Sequence, residues 1–327
     1  MPLTDTDRRW LAAAAALSAR ARPLARPNPG VGAIVVHEGR VLGRGWTQPG
    51  GRPHAEAIAL DMAGAAARGA TLYVTLEPCA HQSPRGPACA DLVAASGVAR
   101  VVAGVADPDP RTAGAGMARI AAAGIVTELA DCAASRASLA GYLTRAALGR
   151  PRVTLKLALS LDGCIALADG TSRWLTGPEA RAHVHALRSR VDAILVGGGT
   201  LRADAPRLDV RLPGLEALSP EPVVLTRGAA PDGWRALASV EAINTLDVHE
   251  LLVEGGAGAA ASFLAADMVD RLMLYRAPLV IGAGLPGVGH IGLGDLAAAH
   301  GRWRPSGGLA LGNDRLEVYE RIPCSPA

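Results

Sequence analysis

A histidine and two cysteines are the residues of this chain whose types and spacing point most directly to chemistry. His54 is followed by Pro78-Cys79, and Cys89 comes ten positions after Cys79. Zinc binds readily to cysteine and histidine, and two cysteines with one histidine leave a fourth position open, as in catalytic zinc sites. The types and order of these residues predict that His54, Cys79 and Cys89 are three ligands of a catalytic zinc ion.

Glu56, two residues after His54, has the side chain that such a site needs for proton transfer. A carboxyl in the same helical turn can reach a water on the metal without being a ligand. Histidine-x-glutamate followed by proline-cysteine is typical of zinc deaminases, in which the glutamate is the general acid and base. Two alternatives stay open: a structural zinc site, which usually has four protein ligands and leaves Glu56 unexplained, and a metal-free pair of buried thiols with a capping histidine.

The pattern of the first half places these residues at the ends of regular elements. Helices are predicted over 54–69 and 89–97, so His54 and Cys89 lie at helix N-termini. The helix dipole there favours a neutral imidazole and a thiolate. A strand over 71–77 leads to the first cysteine. Because strands alternate with helices, we expect a layered α/β sheet.

A second α/β region follows Arg150-Pro151-Arg152. It contains a β-like segment over 152–166, a helix over 181–191 and further strands up to residue 321. With 327 residues, the chain has about twice the length expected of one domain. We therefore predict two domains, residues 1–148 and 149–327.

The first half resembles the deaminase domain of the bifunctional riboflavin-biosynthesis deaminase–reductases. The similarity lies in RPNPGVGAIVV (26–36), PHAE (53–56), ATLYVTLEPCAH (70–81) and DPDP (107–110). It implies a cytidine-deaminase-like, three-layer fold with zinc on His54, Cys79 and Cys89. It also implies that Glu56 is the proton shuttle and that Asn28 contacts the substrate.

Three positions depart from that family. The loop between the two cysteines is one residue longer, Thr47 stands where the family often has histidine, and Asp109 stands in place of an asparagine. We expect these changes to alter how the substrate is held. The metal site should be unaffected, because both cysteines are kept. His81 is either a substrate contact or a loop residue.

The second half resembles the reductase domain of the same family, which has a dihydrofolate-reductase-like α/β fold. The similarity lies in KLALSLDGCIA (156–166), in residues 172–211 and in LLVEGGAGAAASFL (251–264). It implies a reductase that uses NADPH. Glycine-rich loops at 197–199 and 255–258 follow strands and offer backbone amides to a cofactor phosphate, although neither fits the Rossmann fingerprint.

The resemblance also assigns individual positions in the reductase half. Those that match family contacts to the cofactor are Ala158, Trp174, Thr200, Asp204, Gly256, Ala257, Gly258, Ala259, Ala260, Ala261 and Ser262. Those that match contacts to the ribose phosphate of the substrate are Ser172, Arg188, Leu208, Arg211 and Glu254. Asp204 is placed where it can donate a proton to the reduced sugar, with Glu254 as the alternative donor.

Lys156 is the single lysine in a chain that carries 32 arginines. This ratio is typical of a GC-rich coding bias. The family also has lysine at this position, so we expect the compact ammonium of Lys156 to bind the substrate. The alternative is a lysine retained by chance.

Composition and charge exclude several classes of protein. The 33 basic and 30 acidic residues give a net charge of +3, and 3% of residues are aromatic, so a nucleic-acid surface is not expected. No run of about 18 apolar residues indicates a membrane span, and the alanine-rich start is predicted to be a helix rather than a signal peptide. Five irregularly spaced cysteines do not form a disulfide framework, which favours the cytoplasm.

The expected function is a bifunctional enzyme that uses Zn²⁺ and NADPH on a small phosphorylated pyrimidine. The first domain would hydrolyse the 2-amino group of 2,5-diamino-6-ribosylamino-4(3H)-pyrimidinone 5′-phosphate, and the second would reduce the ribosyl chain to ribityl. The resemblance implies a homo-oligomer. The alternatives are a deaminase of another base or nucleotide with an inactive C-terminal domain, a nucleic-acid base deaminase, and a non-catalytic zinc- and nucleotide-binding regulator.

Overall fold

The chain is made of two compact units that meet in sequence between Gly149 and Arg150 in the computed structural model. This division lies next to the predicted boundary between residues 148 and 149. The structure describes residues 3–322, so Cys324 lies outside the described residues. The four cysteines within that range are free thiols.

The first unit is built on a mixed sheet with the strand order β2-β1-β3-β4-β5, in which β1 is antiparallel to its two neighbours and β3, β4 and β5 are parallel. Its elements are α1 (Asp5–Ser18), β1 (Gly32–His37), β2 (Arg40–Trp46), α2 (Ala55–Ala63), β3 (Thr71–Val74), α3 (Cys89–Ala95), β4 (Arg100–Ala103), α4 (Ala115–Ala122), β5 (Val126–Leu129), α5 (Ala133–Ser138) and α6 (Ala140–Leu148).

Helices cover both faces of this sheet and give the predicted three layers. One face buries apolar side chains of β1 and β3 under α2, α3 and α4, and the other packs against α1. The core is alanine-rich, and glycines of β2 let α2 approach closely. A Cβ at Gly45 would lie 2.2 Å from the carbonyl oxygen of Ala55, and one at Gly43 would lie 2.0 Å from that of Ala59.

The predicted N-terminal helix is present as α1, and a buried carboxylate attaches it to the sheet. Thr4 caps the helix, and Asp7 completes a capping box with it. Asp7 also accepts hydrogen bonds from Tyr73 Oη (2.8 Å) and from Arg100 Nη1 (2.7 Å). Arg100 in turn pairs with Glu128 of β5, so one charged network joins the helix to three strands.

Two predicted elements of this unit are shorter than expected. The helix over 54–69 ends at Ala63, because Gly64 adopts a φ of +52° and a short 3-10 turn follows. The strand over 71–77 ends at Val74. Residues 75–79 instead continue beyond the carboxyl end of β3, which places the first cysteine at the edge of the sheet.

The second unit is built on a sheet with the order β10-β9-β8-β11-β6-β12-β15-β14, in which β15 is antiparallel to β12 and β14 and the other pairs are parallel. Its elements are β6 (Arg152–Leu159), β7 (Cys164–Ala166), α7 (Pro178–Arg188), β8 (Ala193–Gly197), α8 (Gly198–Asp204), β9 (Glu221–Leu225), β10 (Arg235–Leu237), β11 (Glu250–Val253), α9 (Ala257–Ala265), β12 (Arg271–Arg276), β13 (Leu285–Pro286), β14 (Trp303–Leu311) and β15 (Asp314–Arg321).

Helices α9 and α7 lie on opposite faces of this sheet. Phe263 of α9 is buried with the inward side chains of β6, β8 and β11, and Val184 of α7 packs with Tyr275 of β12. The β-like segment predicted over 152–166 is two strands, because a turn at Asp162-Gly163 separates β6 from β7. Among the helices of residues 3–322, none combines the length and apolarity needed to cross a membrane.

Candidate metal and cofactor sites

The three predicted zinc ligands of the first unit lie together at the carboxyl end of β3. His54 is the N-cap residue of α2 and Cys89 is the first residue of α3. His54 Nδ1 is 3.2 Å from Cys89 Sγ and 3.5 Å from Cys79 Sγ. Both cysteines are buried.

These distances fit a single metal ion. Zinc bonds of about 2.1 Å to nitrogen and 2.3 Å to sulfur place tetrahedral nitrogen and sulfur ligands about 3.5 Å apart. The ligand atoms of His54, Cys79 and Cys89 all lie within 4.8 Å of one another. Over residues 3–322, this is the one group of histidine, cysteine and acidic side chains that meets this condition.

The protonation of the two thiols also suits a cation. The thiol of Cys89 and the ring of His54 hydrogen-bond to Cys79 Sγ, which lowers the pKa of Cys79 well below its usual value. The pKa of Cys89 is raised, because its proton is held by Cys79 and because it is buried. A metal ion takes the place of these shared protons when it binds, since its ligands must be deprotonated.

Glu56 lies in the first turn of α2, beside this cluster. Its side chain is buried, and burial raises the pKa of Glu56 against the opposing charge of His54. Burial that raises the pKa of a carboxyl is a common way in which enzymes prepare it for acid–base work. The structure therefore places a buried carboxyl next to the three ligands, and its role in proton transfer stays a prediction.

Asn28 lies on the outer side of the histidine. Its amide nitrogen is 3.0 Å from His54 Nε2 and donates to the carbonyl oxygen of Gly51 (2.9 Å), so Asn28 contacts the ring nitrogen that faces away from the cysteines. Contact of Asn28 with the substrate stays a prediction. Thr47, which stands where the resembling family has histidine, accepts from Val31 N and donates to the carbonyl oxygen of Pro29. Thr47 therefore supports the turn that carries Asn28.

His81 shows a feature that the sequence does not reveal. Its Nδ1 is buried and has no hydrogen-bond partner in the described part of the chain. Asp109, the other altered position nearby, pairs with Arg111, which lowers the pKa of Asp109. Whether His81 contacts the substrate or is only a residue of the loop stays open.

In the second unit, the two predicted glycine-rich loops come together. Gly197 and Gly256 are the N-cap residues of α8 and α9, and Gly256 N donates to Thr200 Oγ1 over 3.2 Å. Strands β8 and β11 are parallel neighbours, so the N-termini of both helices face the same edge of the sheet. Such an edge, with free helix N-termini, suits a cofactor phosphate.

Glu254 lies directly after β11 between two cations. Arg188 Nε and Nη2 donate to its two oxygens over 2.8 and 3.0 Å, and Lys156 Nζ is 3.6 Å from it. Burial raises the pKa of Glu254, but Lys156 and Arg188 outweigh this effect and lower it to about 2. The sequence predicts Arg188 and Glu254 as contacts to the substrate's phosphate, and the structure pairs them with each other.

The remaining predicted positions lie on several elements and loops of this unit. Ala158 lies on β6, and Ala259, Ala260 and Ala261 are buried on α9, where Ser262 donates to the carbonyl oxygen of Gly258. Trp174 is exposed, and the guanidinium carbon Cζ of Arg181 lies 5.0 Å from the centroid of its ring. Ser172 is half-buried, Leu208 is buried in the core, and Arg211 is exposed beside Asp209.

Asp204, the predicted proton donor, pairs with Arg173. Its role as proton donor stays a prediction, as do the cofactor and substrate contacts of the other residues.

Sequence reasoning missed three residues at these sites. Glu77 precedes Cys79 and accepts four backbone hydrogen bonds. Tyr275 lies under Lys156, with the ammonium 5.8 Å from its ring centroid, and its hydroxyl is 2.8 Å from His183 Nδ1. The glutamate stands in the segment TLEPC, in which the cysteine is the residue that predicts a metal site. The tyrosine and the histidine show no local pattern, because they lie 92 positions apart.

Both units match known family models. Residues 4–105 match the model described as the cytidine and deoxycytidylate deaminase zinc-binding region, and residues 151–314 match the RibD C-terminal domain. Riboflavin biosynthesis protein RibD of Aquifex aeolicus is 35% identical over 89% of this chain and 92% of its own length. That of Escherichia coli is 37% identical over 86% and 90%.

Solved structures agree over almost the full length. RibD of Acinetobacter baumannii is 30% identical with a TM-score of 0.86, and the match covers 97% of this chain and 99% of that one. The diaminohydroxyphosphoribosylaminopyrimidine deaminase/5-amino-6-(5-phosphoribosylamino)uracil reductase of Thermotoga maritima is 29% identical with a TM-score of 0.87, over the same shares. The cytidine-deaminase-like and reductase folds are confirmed.

Proposed function

The chain belongs to the RibD family of bifunctional riboflavin-biosynthesis deaminase–reductases, and from this premise we propose which two reactions its units catalyse and which residues act in each. The first unit removes the 2-amino group of 2,5-diamino-6-ribosylamino-4(3H)-pyrimidinone 5′-phosphate as ammonia. The second reduces the ribosyl chain of the product and gives 5-amino-6-ribitylaminouracil 5′-phosphate. The observation that supports the proposal best is the cluster of His54, Cys79 and Cys89 beside Glu56.

In the deamination, His54, Cys79 and Cys89 hold the zinc ion, which supplies Lewis-acid activation of water when bound. Glu56 takes a proton from the attacking water and delivers it to the amine that leaves, a role that its raised pKa supports. Asn28 keeps the ring of His54 in place, and its contact with the substrate is part of the proposal. The buried setting of Glu56 limits proton exchange with bulk water.

In the reduction, the amides at the N-termini of α8 and α9 would hold the phosphates of NADPH, which would supply the hydride for C1′ of the sugar. Lys156 presents its ammonium to the substrate from β6, and Glu254 with Arg188 fixes its position. Asp204 lies at the end of α8 and is the proposed proton donor. Glu254 is the weaker candidate, since a pKa of about 2 keeps it ionised at neutral pH.

A deaminase of another base or nucleotide with an inactive second unit has less support. The second unit keeps the glycine loops, Lys156 and the buried pair of Arg188 and Glu254. Burying charges costs free energy that pairing only partly offsets, so these side chains are easier to explain in a working site than in an inactive domain. We further propose a homo-oligomer in the cytoplasm, whose reducing conditions keep the cysteine ligands as thiols. Gel filtration with light scattering and cell fractionation test these two points.

The substitution Glu56→Ala tests the deaminase assignment. We expect zinc to stay bound and ammonia release to fall by at least about 100-fold, because the proton transfer loses its carrier. Reduction of the deaminated intermediate, followed by the loss of NADPH absorbance, should continue at the wild-type rate and is the internal control. Ammonia release that survives in the zinc-loaded variant contradicts the mechanism, and unchanged NADPH absorbance with the wild-type protein contradicts the reductase.

A further inference from the structure

Glu77 is a buried carboxylate to which neither proposed reaction gives a role. It stands two residues before Cys79 in the segment TLEPC, and 3% of the residue is exposed. Its backbone N–H donates to the carbonyl oxygen of Val105 over 2.9 Å. A buried carboxylate is costly unless its oxygens are hydrogen-bonded, so the partners of this side chain show what it does.

Four backbone amides of residues 107–117 donate to the carboxylate of Glu77. Oε2 accepts from Asp107 N (3.3 Å) and Gly114 N (3.0 Å), and Oε1 accepts from Gly116 N and Met117 N (3.1 Å each). Gly114 is the N-cap residue of α4. Glu77 therefore satisfies the N–H groups at the start of α4, which have no partner within the helix, and its charge matches the helix dipole.

The same segment contacts the chain on both sides of Cys79. A Cβ at Gly116 would lie 1.9 Å from the carbonyl oxygen of Pro78, so α4 approaches the residue before the cysteine as closely as glycine permits. After the cysteine, Ala80 N donates to the buried hydroxyl of Thr112 over 3.4 Å. The backbone that carries the cysteine is thus held between Pro78 and Ala80.

We infer that Glu77 is a positioning residue for the metal centre. By holding residues 107–117 against Pro78 and Ala80, it fixes where Cys79 Sγ lies relative to the other two ligands. The inference rests on the proposed zinc site, and the segment that Glu77 holds, residues 107–117, lies beyond position 105, where the match to the zinc-binding region ends. A residue that orients a ligand through its support changes metal affinity and coordination geometry as well as stability.

The test replaces Glu77 by glutamine in the full-length protein and measures the metal itself. An amide in place of one carboxylate oxygen would point its N–H groups at the amides of α4 and release the segment. We expect the zinc dissociation constant, measured by competition with a chromophoric chelator, to rise about tenfold. We also expect the absorption bands of the Co²⁺-substituted protein to shift. Glu128→Gln, at a carboxylate that pairs with Arg100 in the same unit, should leave both at wild-type values.

A second pair of variants separates support of the backbone from loss of charge. Thr112→Val removes the acceptor of Ala80 N without a change in charge, and Thr112→Ser keeps it. The valine variant should shift the cobalt bands and weaken zinc binding, and the serine variant should restore both.

Changes in thermal stability alone, with wild-type zinc affinity and cobalt spectrum in Glu77→Gln, would overturn the inference. If Glu77→Gln does not fold, the two variants of Thr112 decide, and an unchanged spectrum in Thr112→Val overturns it. A wild-type protein that binds no zinc contradicts the proposed function instead.

Discussion

Arg188 is the side chain to which sequence and structure give different partners. The resemblance places it at the phosphate of the substrate, whereas three of its nitrogens donate to Glu254 and to the carbonyl oxygen of Asp209. Its guanidinium is also largely buried. Most of its donors are therefore already used, so we expect Arg188 to act on a substrate through Glu254 and Lys156.

We expect Arg188→Lys to damage the reductase through position rather than through substrate binding. Lysine cannot reproduce the two-pronged bond to Glu254, and disruption of a buried ion pair costs about 3 kcal/mol of unfolding free energy. The turnover number for reduction should fall more than the Michaelis constant rises, and ammonia release should not change. Steady-state kinetics of both reactions check this, and a rise in the Michaelis constant alone would support the phosphate contact.

Lys156 gives a second prediction at this scale. Its ammonium lies 3.6 Å from Glu254 and 5.8 Å from the ring centroid of Tyr275. Lys156→Arg keeps the charge but replaces a compact ammonium by a larger planar fork, which moves the charge relative to these two partners. We expect reduction to weaken by about tenfold or more, one factor of ten being about 1.4 kcal/mol, with deamination unchanged. Arg315→Lys, at an exposed arginine of β15, is the control. Equal loss of both activities would indicate a lysine retained by chance.

The residues that the sequence predicted well are those whose chemistry is rare and whose elements are local. His54 and Cys89 each begin a helix and Cys79 follows a strand, so their meeting follows from the edge of one sheet. The partners of Glu77 are backbone amides 30 to 40 positions away. No residue type marks a backbone amide as a partner, so sequence alone could not assign that role.

At the scale of elements, close contact between α2 and β2 determines where the metal site lies. The first turn of α2 carries Glu56 and follows His54, and it packs against Gly45 without space for a side chain. A methyl group at Gly45 would lie 2.2 Å from the carbonyl oxygen of Ala55. Helix α2 can pack this closely against β2 only because residue 45 is a glycine.

Gly45→Ala should therefore move the start of α2. We expect a loss of about 1–3 kcal/mol in unfolding free energy, as for other overpacked sites, and weaker zinc binding because His54 shifts with the helix. Thermal unfolding with and without zinc, and a zinc competition assay, measure both effects. Gly294→Ala is the control, since a Cβ there has no atom within 4 Å. Wild-type zinc affinity in Gly45→Ala would show that α2 adjusts without moving the site.

Helix α1 gives a prediction that depends on pH. The Arg100 guanidinium holds the pKa of Asp7 well below its usual range, and the unfolded chain has the ordinary value near 3.8. A lowered pKa in the folded state stabilises the protein above the unfolded pKa, and this stabilisation is lost as the pH falls toward the folded value.

Asp7→Asn should lower the unfolding free energy of the first unit at neutral pH by about 3 kcal/mol, because Arg100 loses one of its carboxylate partners in a buried network. The difference from wild type should narrow below about pH 4, where Asp7 loses its charge on unfolding. Urea unfolding at several pH values checks this. Asp5→Asn, two residues earlier in α1 and fully exposed, should have no effect, and a pH-independent difference for Asp7→Asn would contradict the ion-pair explanation.

Some elements could not be predicted, for physical reasons. Strand β14 contains a proline and two glycines, which disfavour a strand, and it forms at the edge of the sheet by pairing with β15 across a tight turn. Helix α8 is seven residues long and begins with two glycines, so it has no apolar period. In both cases tertiary packing, rather than local preference, decides the structure.

For the whole molecule, each unit has a sheet and a core of its own. Apolar side chains of β1, β3 and β4 are buried under helices of the first unit, and those of β6, β8 and β11 under helices of the second. The zinc ligands all lie before Gly149, and the glycine loops with Lys156 all lie after Arg150. The sequence indicated this division through the second α/β region that follows Arg150-Pro151-Arg152.

We therefore expect the two units to fold and act as separate fragments. Residues 1–149 should bind zinc and release ammonia from the pyrimidinone, and residues 150–327 should bind NADPH and reduce the deaminated intermediate, because each fragment keeps a complete core and all the residues proposed for its reaction. The measurements are cooperative unfolding of each fragment and the turnover of each reaction, with the intact chain as reference. A mixture of the fragments should restore the two-step conversion. A fragment that folds but gains activity only when its partner is added would show that residues of both units build one site, and it would contradict the independence argued from the two cores.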